Sequence, residues 1–290
     1  MVALVLHGGC HEIEPKAEEK GAIEERIRRY GEIGLAMLKS GAHSKDVIEE
    51  VIRRMEDDPL FDAGTGSFYN LNGEIEMDSM IMDMYGGCGG VLCIRDVQNP
   101  ISVARKVMEE TPHVLLAGDG AVQFARRLGF PPYNPGTPEG KAAAFEKGRR
   151  MLRDLTYYAE ERAKDGFFST VGAVALDSAG ELVAGTSTGG IRQKMPGRVG
   201  DSAIPGAGGF CSPKAGAVAT GEGEGILKLG LTRYVVDRYS EVADLTEACK
   251  EGVLRGSAID CVCGVVALSS DGNFSYAHNG AFMPTYAKRA

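Results

Sequence analysis

The sequence predicts a layered α+β fold, and three observations carry that expectation. Strand-like stretches fall in groups with helix-like stretches grouped beside them, instead of alternating one for one as βα units do. The chain has 290 residues, near the upper size for one hydrophobic core. Its 40 glycines gather in short clusters such as GGCGG, STGG, GAGG and GEGEG, a pattern of tight turns and backbone-lined pockets and not of a repeat.

Taken in order, VALVLHGG reads as a buried strand stopped by the Gly8-Gly9 turn. Apolar residues at helical spacing run from about Glu18 to Lys39 and end at Gly41, and a second helix follows with Ser44 as its N-cap. EDDPLFDAGTGS reads as a loop. EIEMDSMIM alternates and so reads as a strand, and GVLCIRDV as another. Asn99 to Glu109 and Gly120 to Leu128 read as helices around a short strand, HVLLAG. PPYNPGTPEG breaks the pattern, and a charged helix-forming stretch from Lys141 to Lys164 follows it. Together, residues 131–169 make the best linker in the chain. TVGAVALD and ELVAGTST then pair around Ser178-Ala179-Gly180. A long glycine-rich loop leads to the strand AGAVAT, and two helices lie between Gly225 and Arg255. The last hairpin, CVCGVVALSSDGNFSYAH, turns at Asp271-Gly272, and Cys261 and Cys263 alternate along its first strand.

A net charge of −8 argues against a nucleic-acid partner. No apolar run approaches a membrane span, and MVALVLHGG lacks the basic start and full apolar stretch of a signal peptide. Seven cysteines at irregular spacing fit buried free thiols better than a disulfide framework or a zinc site. The five histidines show no ligand spacing. A cytoplasmic location is expected.

Several motifs compete for the function. GEGEGI follows a strand and opens a helix, but it lacks the last glycine of a dinucleotide loop, and Glu222 and Glu224 would repel a pyrophosphate. GTPEGKA is one residue short of a phosphate-binding loop and ends in alanine. GTSTG matches a nucleophile elbow centred on Ser187, with His278 downstream as the base of a serine esterase. The following IRQKMPGRVGD carries Pro and Gly and cannot form the required helix.

Within FFSTVGAVALD, Thr170 opens what looks like a half-buried strand directly after another hydroxyl residue, Ser169. The run from residue 168 to 225 resembles the β-subunit start of plant-type L-asparaginases and isoaspartyl aminopeptidases, which are N-terminal-nucleophile hydrolases. TVGAVALD stands at Thr170 to Asp177, TSTGG at Thr186 to Gly190, GRVGDS at Gly197 to Ser202, a GAGG turn at Gly206 to Gly209, and TGEGE at Thr220 to Glu224. HGG, EDDPLFDAGTGS, NGEIEMDSMIMD and NPISVARKVME extend the resemblance over nearly the whole chain. The resemblance implies a four-layer αββα sandwich forming one domain, 1–290. It would be made as one chain and cut into an α subunit, 1–169, and a β subunit, 170–290. The units would pair as a homodimer of αβ units.

The chemistry suits those residue types. A threonine hydroxyl is a poor nucleophile until a base takes its proton. An α-amino group, with a pKa of about 7.7–8, is partly unprotonated at neutral pH and sits on the nucleophile's own Cα. An internal Thr170 has only an amide nitrogen, so cleavage between Ser169 and Thr170 has to come first. The resemblance implies that Thr188 helps position Thr170, and that the Thr220 hydroxyl and Gly221 N–H form an oxyanion hole. It implies that Arg198 grips the substrate α-carboxylate, while Asp201 and the Gly223 carbonyl receive its ammonium. L-asparagine and β-aspartyl dipeptides would be the substrates, and no organic cofactor is expected. The loop Met55 to Thr65 resembles a sodium-binding loop, with backbone carbonyls of Met55, Glu56, Asp58, Phe61, Ala63 and Thr65 as ligands, which suits a hard cation. Departures from the family pattern are Ser169, where many members have Gly or Asp, Asp62 in place of Asn, and HGGCHE in place of HGGAG; Ser169 and Asp62 keep open a second alternative beside the serine esterase, a homologue that is not cut and binds amino acids without catalysis.

Overall fold

The computed structural model describes residues 1–162 and 170–290; Ser169 and the end of the linker lie outside the described residues. The first strand, β1 (Ala3–His7), leads into two helices, α1 (Ala17–Lys39) and α2 (Ser44–Asp57). A single 3-10 turn at Gly64–Gly66 precedes the hairpin of β2 (Met77–Asp83) and β3 (Cys88–Ile94). Then come α3 (Pro100–Glu110), β4 (Leu115–Ala117), α4 (Gly118–Arg127), α5 (Pro138–Arg153) and α6 (Leu155–Arg162). After the undescribed stretch, β5 (Val171–Leu176) and β6 (Leu182–Thr188) form a second hairpin. β7 (Gly209–Cys211) and β8 (Ala215–Gly221) follow, then α7 (Gly223–Leu229), α8 (Leu231–Val242) and α9 (Leu245–Ser257). The chain closes with β9 (Cys263–Ser269), β10 (Phe274–His278) and β11 (Thr285–Arg289).

The strands form a seven-stranded sheet in the order β11-β1-β5-β6-β2-β3-β4 and a four-stranded sheet in the order β10-β9-β8-β7. All pairs are antiparallel except β3 with β4. Helices α1 and α2 cover one face of the large sheet, the small sheet packs on its other face, and α8 and α9 cover the far side of the small sheet. This is the four-layer αββα sandwich. Side-chain alternation sorts the core into its layers. Leu4, Leu6, Val171, Ala173, Ala175 and Val183 meet α1 and α2. Ala3, Val5, Val174, Leu176, Leu182, Ala184 and Val218 fill the space between the sheets.

Several local expectations change. β5 and β2 are not half-buried, since both faces of each are covered by a layer. β5 begins at Val171, leaving Thr170 just before it. Ser44 is the first helical residue of α2 and not its N-cap, which is His43. Asp177, from the far hairpin, accepts the Ser44 N–H at 3.0 Å, and the Ser44 hydroxyl donates to the Glu181 carbonyl. Three helices, not two, occupy 223–257, because Gly230 adopts a left-handed conformation with φ +57° and breaks the run. The long stretch from Lys141 to Lys164 is interrupted at Asp154, whose carboxylate accepts the N–H groups of Thr156 and Tyr157. Cys261 precedes β9 instead of lying on it.

Candidate active site

Alternation along three strands aims threonines at one place. Thr186 and Thr188 share a face with Leu182 and Ala184, Thr220 with Val218, and Thr170 with Val174 and Leu176, all toward the space between the sheets. In the β5–β6 ladder Val171 pairs with Ser187 and Gly172 with Thr186, so one further step puts Thr170 opposite Thr188. The two hydroxyls meet there: Thr170 Oγ1 donates to Thr188 Oγ1 at 3.0 Å. Thr188 Oγ1 also accepts the Gly190 N–H at 2.9 Å, which fixes its rotamer and leaves its own proton to point elsewhere. Thr170 is 6% exposed.

Ser187, one residue out of phase, faces the other way. Its hydroxyl donates to Glu56 Oε1 at 2.7 Å beneath α2, and the residue is fully buried. His278 lies on the edge strand of the other sheet with Nδ1 2.9 Å from the Gly280 carbonyl oxygen. The GTSTG elbow and its histidine are therefore not brought together.

The GRVGDS loop is anchored from β2. Lys194 Nζ donates to the Glu76 carbonyl at 2.6 Å, Gly197 N–H to the Glu76 carboxylate, and Gly200 N–H to Asp78. Its other end is tied to the small sheet, since Gly208 N–H donates to the Asp201 carbonyl and Ala219 N–H of β8 to the Gly208 carbonyl. Thus the loop bridges the two sheets where the threonines face inward. Arg198 extends its fork to Glu224 of α7, with Nε to Oε1 at 2.9 Å and Nη2 to Oε2 at 2.8 Å. Asp201 is buried, and its Oδ2 has no hydrogen-bond partner among the described residues. Burial pushes its carboxyl up to about 7, against the pull of the Arg198 guanidinium.

Gly223 lies against both charges: a Cβ there would stand 2.7 Å from Arg198 Nη2 and 2.9 Å from Asp201 Oδ1. Gly221 has φ +132°, and a Cβ on it would be 2.2 Å from the Val262 carbonyl oxygen, so only glycine fits. Next to it, the Thr220 hydroxyl is fully buried with no partner among the described residues. Buried polar atoms are nearly always satisfied. Two orphans on the same stretch of structure, Thr220 Oγ1 and Asp201 Oδ2, mark where a ligand's polar groups would fit. Sequence reasoning did not find Glu224 as the partner of Arg198, although its place in TGEGE, beside Gly223, was the available signal.

Asp62 touches the same region from the other side. Its carbonyl accepts the Gly189 N–H at 2.8 Å, and its carboxylate accepts the Phe68 N–H at 3.0 Å. Burial pushes that carboxyl up to about 7. Beside it opens a cavity of about 160 Å³ whose lining includes His11, Phe61, Phe68 and Arg192.

The expected sodium loop is helical at its start: Met55 and Glu56 belong to α2. The Glu56 side chain is no bystander, because it is fully buried, bonded to Ser187 and to the Ile101 N–H, and pushed up to about 8 by burial. Beyond it the loop winds tightly on glycines, and a Cβ on Gly64 would meet the Glu56 carbonyl oxygen at 2.4 Å. The carbonyls of Met55, Asp58, Phe61 and Ala63 each accept one backbone N–H. Each keeps a second lone pair, so the donor set fits a hard cation in kind.

Comparison with known proteins places the chain in a family. A family model described as asparaginase matches residues 1–289. The chain is 42% identical over 294 residues to a plant-type L-asparaginase of Pyrococcus furiosus, covering 98% of this chain and 95% of that protein. It is 36% identical over 293 residues to an isoaspartyl peptidase/L-asparaginase of Bos taurus, covering 99% and 93%. A protein of the same description from Mus musculus is 38% identical over 288 residues, covering 98% and 86%. With that extent of match, and with the layered sandwich around an inward-facing threonine cluster, the chain belongs to the asparaginase family of N-terminal-nucleophile hydrolases.

Proposed function

We propose that this protein hydrolyses L-asparagine and β-aspartyl dipeptides through an acyl-enzyme on Thr170, after cleavage of the bond between Ser169 and Thr170. The observation that carries the reading is the hydroxyl pair between the sheets, Thr170 Oγ1 on Thr188 Oγ1 at 3.0 Å. Before cleavage, the Thr170 hydroxyl adds to the Ser169 carbonyl, the acyl group moves from nitrogen to oxygen, and water opens the ester. The amine freed on Thr170 then serves as base for its own hydroxyl. The hydroxyl adds to the side-chain amide carbon of the substrate, and the amine takes its proton. That proton goes to the leaving nitrogen, which departs as ammonia or as the amino group of the second residue. Water then enters by the same route to release aspartate. Negative charge on the carbonyl oxygen is met by the unpartnered Thr220 hydroxyl and the Gly221 N–H.

Arg198 and Asp201 select the free α-carboxylate and α-ammonium, a charge pattern that an α-linked aspartyl dipeptide does not present at its reacting end. The substrate carboxylate would exchange with Glu224 on the Arg198 fork. A sodium ion held by the carbonyls of the 55–65 loop would stiffen the segment that carries Asp62 against Gly189. Melting temperature in sodium against choline chloride reads that contribution. Seven free cysteines support a reducing compartment such as the cytoplasm, and the active form is assigned as a homodimer of cleaved units.

The test uses purified full-length protein. Mass spectrometry and N-terminal sequencing should find two fragments, the smaller beginning Thr-Val-Gly-Ala, with ammonia released from L-asparagine and β-aspartyl but not α-aspartyl dipeptides cleaved. Thr170→Ala should stay uncut and inactive. A fully active protein that remains one chain would overturn the proposal.

A further inference from the structure

The turn between β5 and β6 brings three side chains of metal-binding chemistry to the start of α2. Among the described residues, one group of histidine and acidic side chains has ligand spacing: His43, Asp177 and Glu181, whose ligand atoms lie within 4.8 Å of one another. His43 is the N-cap of α2 and is exposed. Asp177 directly follows β5 and is buried, while Glu181 directly precedes β6 and is half-buried. All three stand at the opposite end of β5 from Thr170, so they form no part of the candidate active site.

The fold holds this group in place with main-chain bonds. The Ser44 N–H donates to Asp177 Oδ2 at 3.0 Å, and the Ser44 hydroxyl to the Glu181 carbonyl at 2.8 Å, which ties the first turn of α2 to the hairpin. Asp177 Oδ1 accepts the N–H groups of Ala179 and Glu181, each at 3.0 Å. Three donors thus fix this carboxylate, as outer-shell partners orient a metal ligand. A carboxylate has about four lone-pair sites; these bonds take two on Oδ1 and one on Oδ2, so Oδ2 keeps one for a ligand.

Charge favours a cation here. Three carboxyl groups, Asp83, Asp177 and Glu181, gather around one ammonium, that of Lys45. It stands 3.0 Å from Asp83 Oδ2 and 3.2 Å from Glu181 Oε1, which leaves Glu181 Oε2 open. The imidazole sets this group apart from an ordinary acidic patch. Calcium and magnesium prefer oxygen alone, whereas one nitrogen with two carboxylate oxygens suits zinc and its neighbours. Around a tetrahedral zinc ion at about 2.0–2.1 Å the ligand atoms stand about 3.4 Å apart. With Asp177 fixed, rotamer changes of His43 and Glu181 supply the closure.

We propose that His43, Asp177 and Glu181 bind a divalent transition-metal ion of the zinc type, with water completing its shell, and that the ion staples the start of α2 to the β5–β6 turn. Its ligands come from both sides of the Ser169–Thr170 bond, so it would also join the two cleaved pieces far from the nucleophile.

The test strips full-length protein with a chelator and titrates it with zinc chloride by calorimetry. Wild type should take up one zinc ion per chain in a saturable step, and should melt at a higher temperature with zinc than without. His43→Ala and Glu181→Gln alter side chains that reach solvent and should fold normally. Each should weaken zinc binding at least about 10-fold, because even an outer-shell partner is worth about 10- to 100-fold in affinity, and each should lose most of the gain in melting temperature. X-ray absorption should show a first shell of nitrogen and oxygen at about 2.0–2.1 Å, and a sulfur shell at about 2.3 Å would assign the ion to cysteines and overturn the proposal. Wild type without saturable uptake, or variants that bind zinc as tightly as wild type, would overturn it as well.

Discussion

At the scale of single residues, the candidate site was read from the family resemblance, and strand parity gives the physical reason that its threonines gather. Counting by twos along TVGAVALD, ELVAGTST and AGAVAT sends Thr170, Thr188 and Thr220 to one face and Ser187 to the other, and the structure has them so. The orphaned state of Thr220 Oγ1 and Asp201 Oδ2 was not legible, because satisfaction depends on which loops return to the site. Nor was the closure of Arg198 on Glu224, a contact spanning 26 residues of sequence. Thr220 carries the first prediction at this scale. Its hydroxyl has no partner among the described residues to lose, so Thr220→Ala should fold and mature much as wild type does. Turnover of L-asparagine should nonetheless fall by about 10²–10³, the usual loss for one oxyanion donor. Steady-state kinetics on the cleaved enzyme decide it: an unchanged kcat would remove Thr220 from the reaction.

At the scale of elements, the helices and strands with strong periodicity were legible and their ends were not. α2 was expected to stop before Glu56, yet it runs on to Asp57. Glu56 stays helical while its carboxyl reaches Ser187 on β6 and the Ile101 N–H of α3. The start of α2 is likewise set from outside, by Asp177 at a separation of 133 residues. Short edge elements such as β7 and β11 were missed because three to five residues give too little alternation to read. The Glu56–Ser187 bond gives a prediction that separates structure from chemistry. Ser187→Ala removes a buried donor to a carboxyl and should cost roughly 1–3 kcal/mol of stability. The kcat of the cleaved enzyme should not change, since Ser187 faces α2 and not the space between the sheets. A serine esterase would show the reverse, with activity abolished and little change in melting.

At the scale of the whole molecule, layering was legible from grouped strands and helices, but burial of charge was not, because it depends on all four layers closing. Glu56, Asp62 and Asp201 are each wrapped by separate parts of the chain, and burial pushes them up to about 8, about 7 and about 7. Unfolded carboxyls titrate near pH 4. A raised folded-state pKa contributes stability below pH 4 that is lost as the pH rises through 7 to 8. His7 and His11 act in the opposite sense. Burial pushes them down to about 3 and about 4, so their contribution is present above the unfolded value of about 6.5 and is lost as the pH falls. Between about pH 5 and 6 the two histidines offset two of the three carboxyls, and the third leaves a net loss of roughly 1.4 kcal/mol per pH unit. Above about pH 7.5 the histidines are largely neutral in both states, and the carboxyls act alone. The melting temperature should therefore fall from about pH 5 to 8 at constant ionic strength. Glu56→Gln, which keeps the shape without the ionisation, should flatten the upper part of that fall, where the most strongly raised of the three carboxyls is losing its proton. Calorimetric melts across the series test this: a melting temperature that holds or rises from about pH 6.5 to 8 would mean that these carboxyls are already ionised in the folded protein.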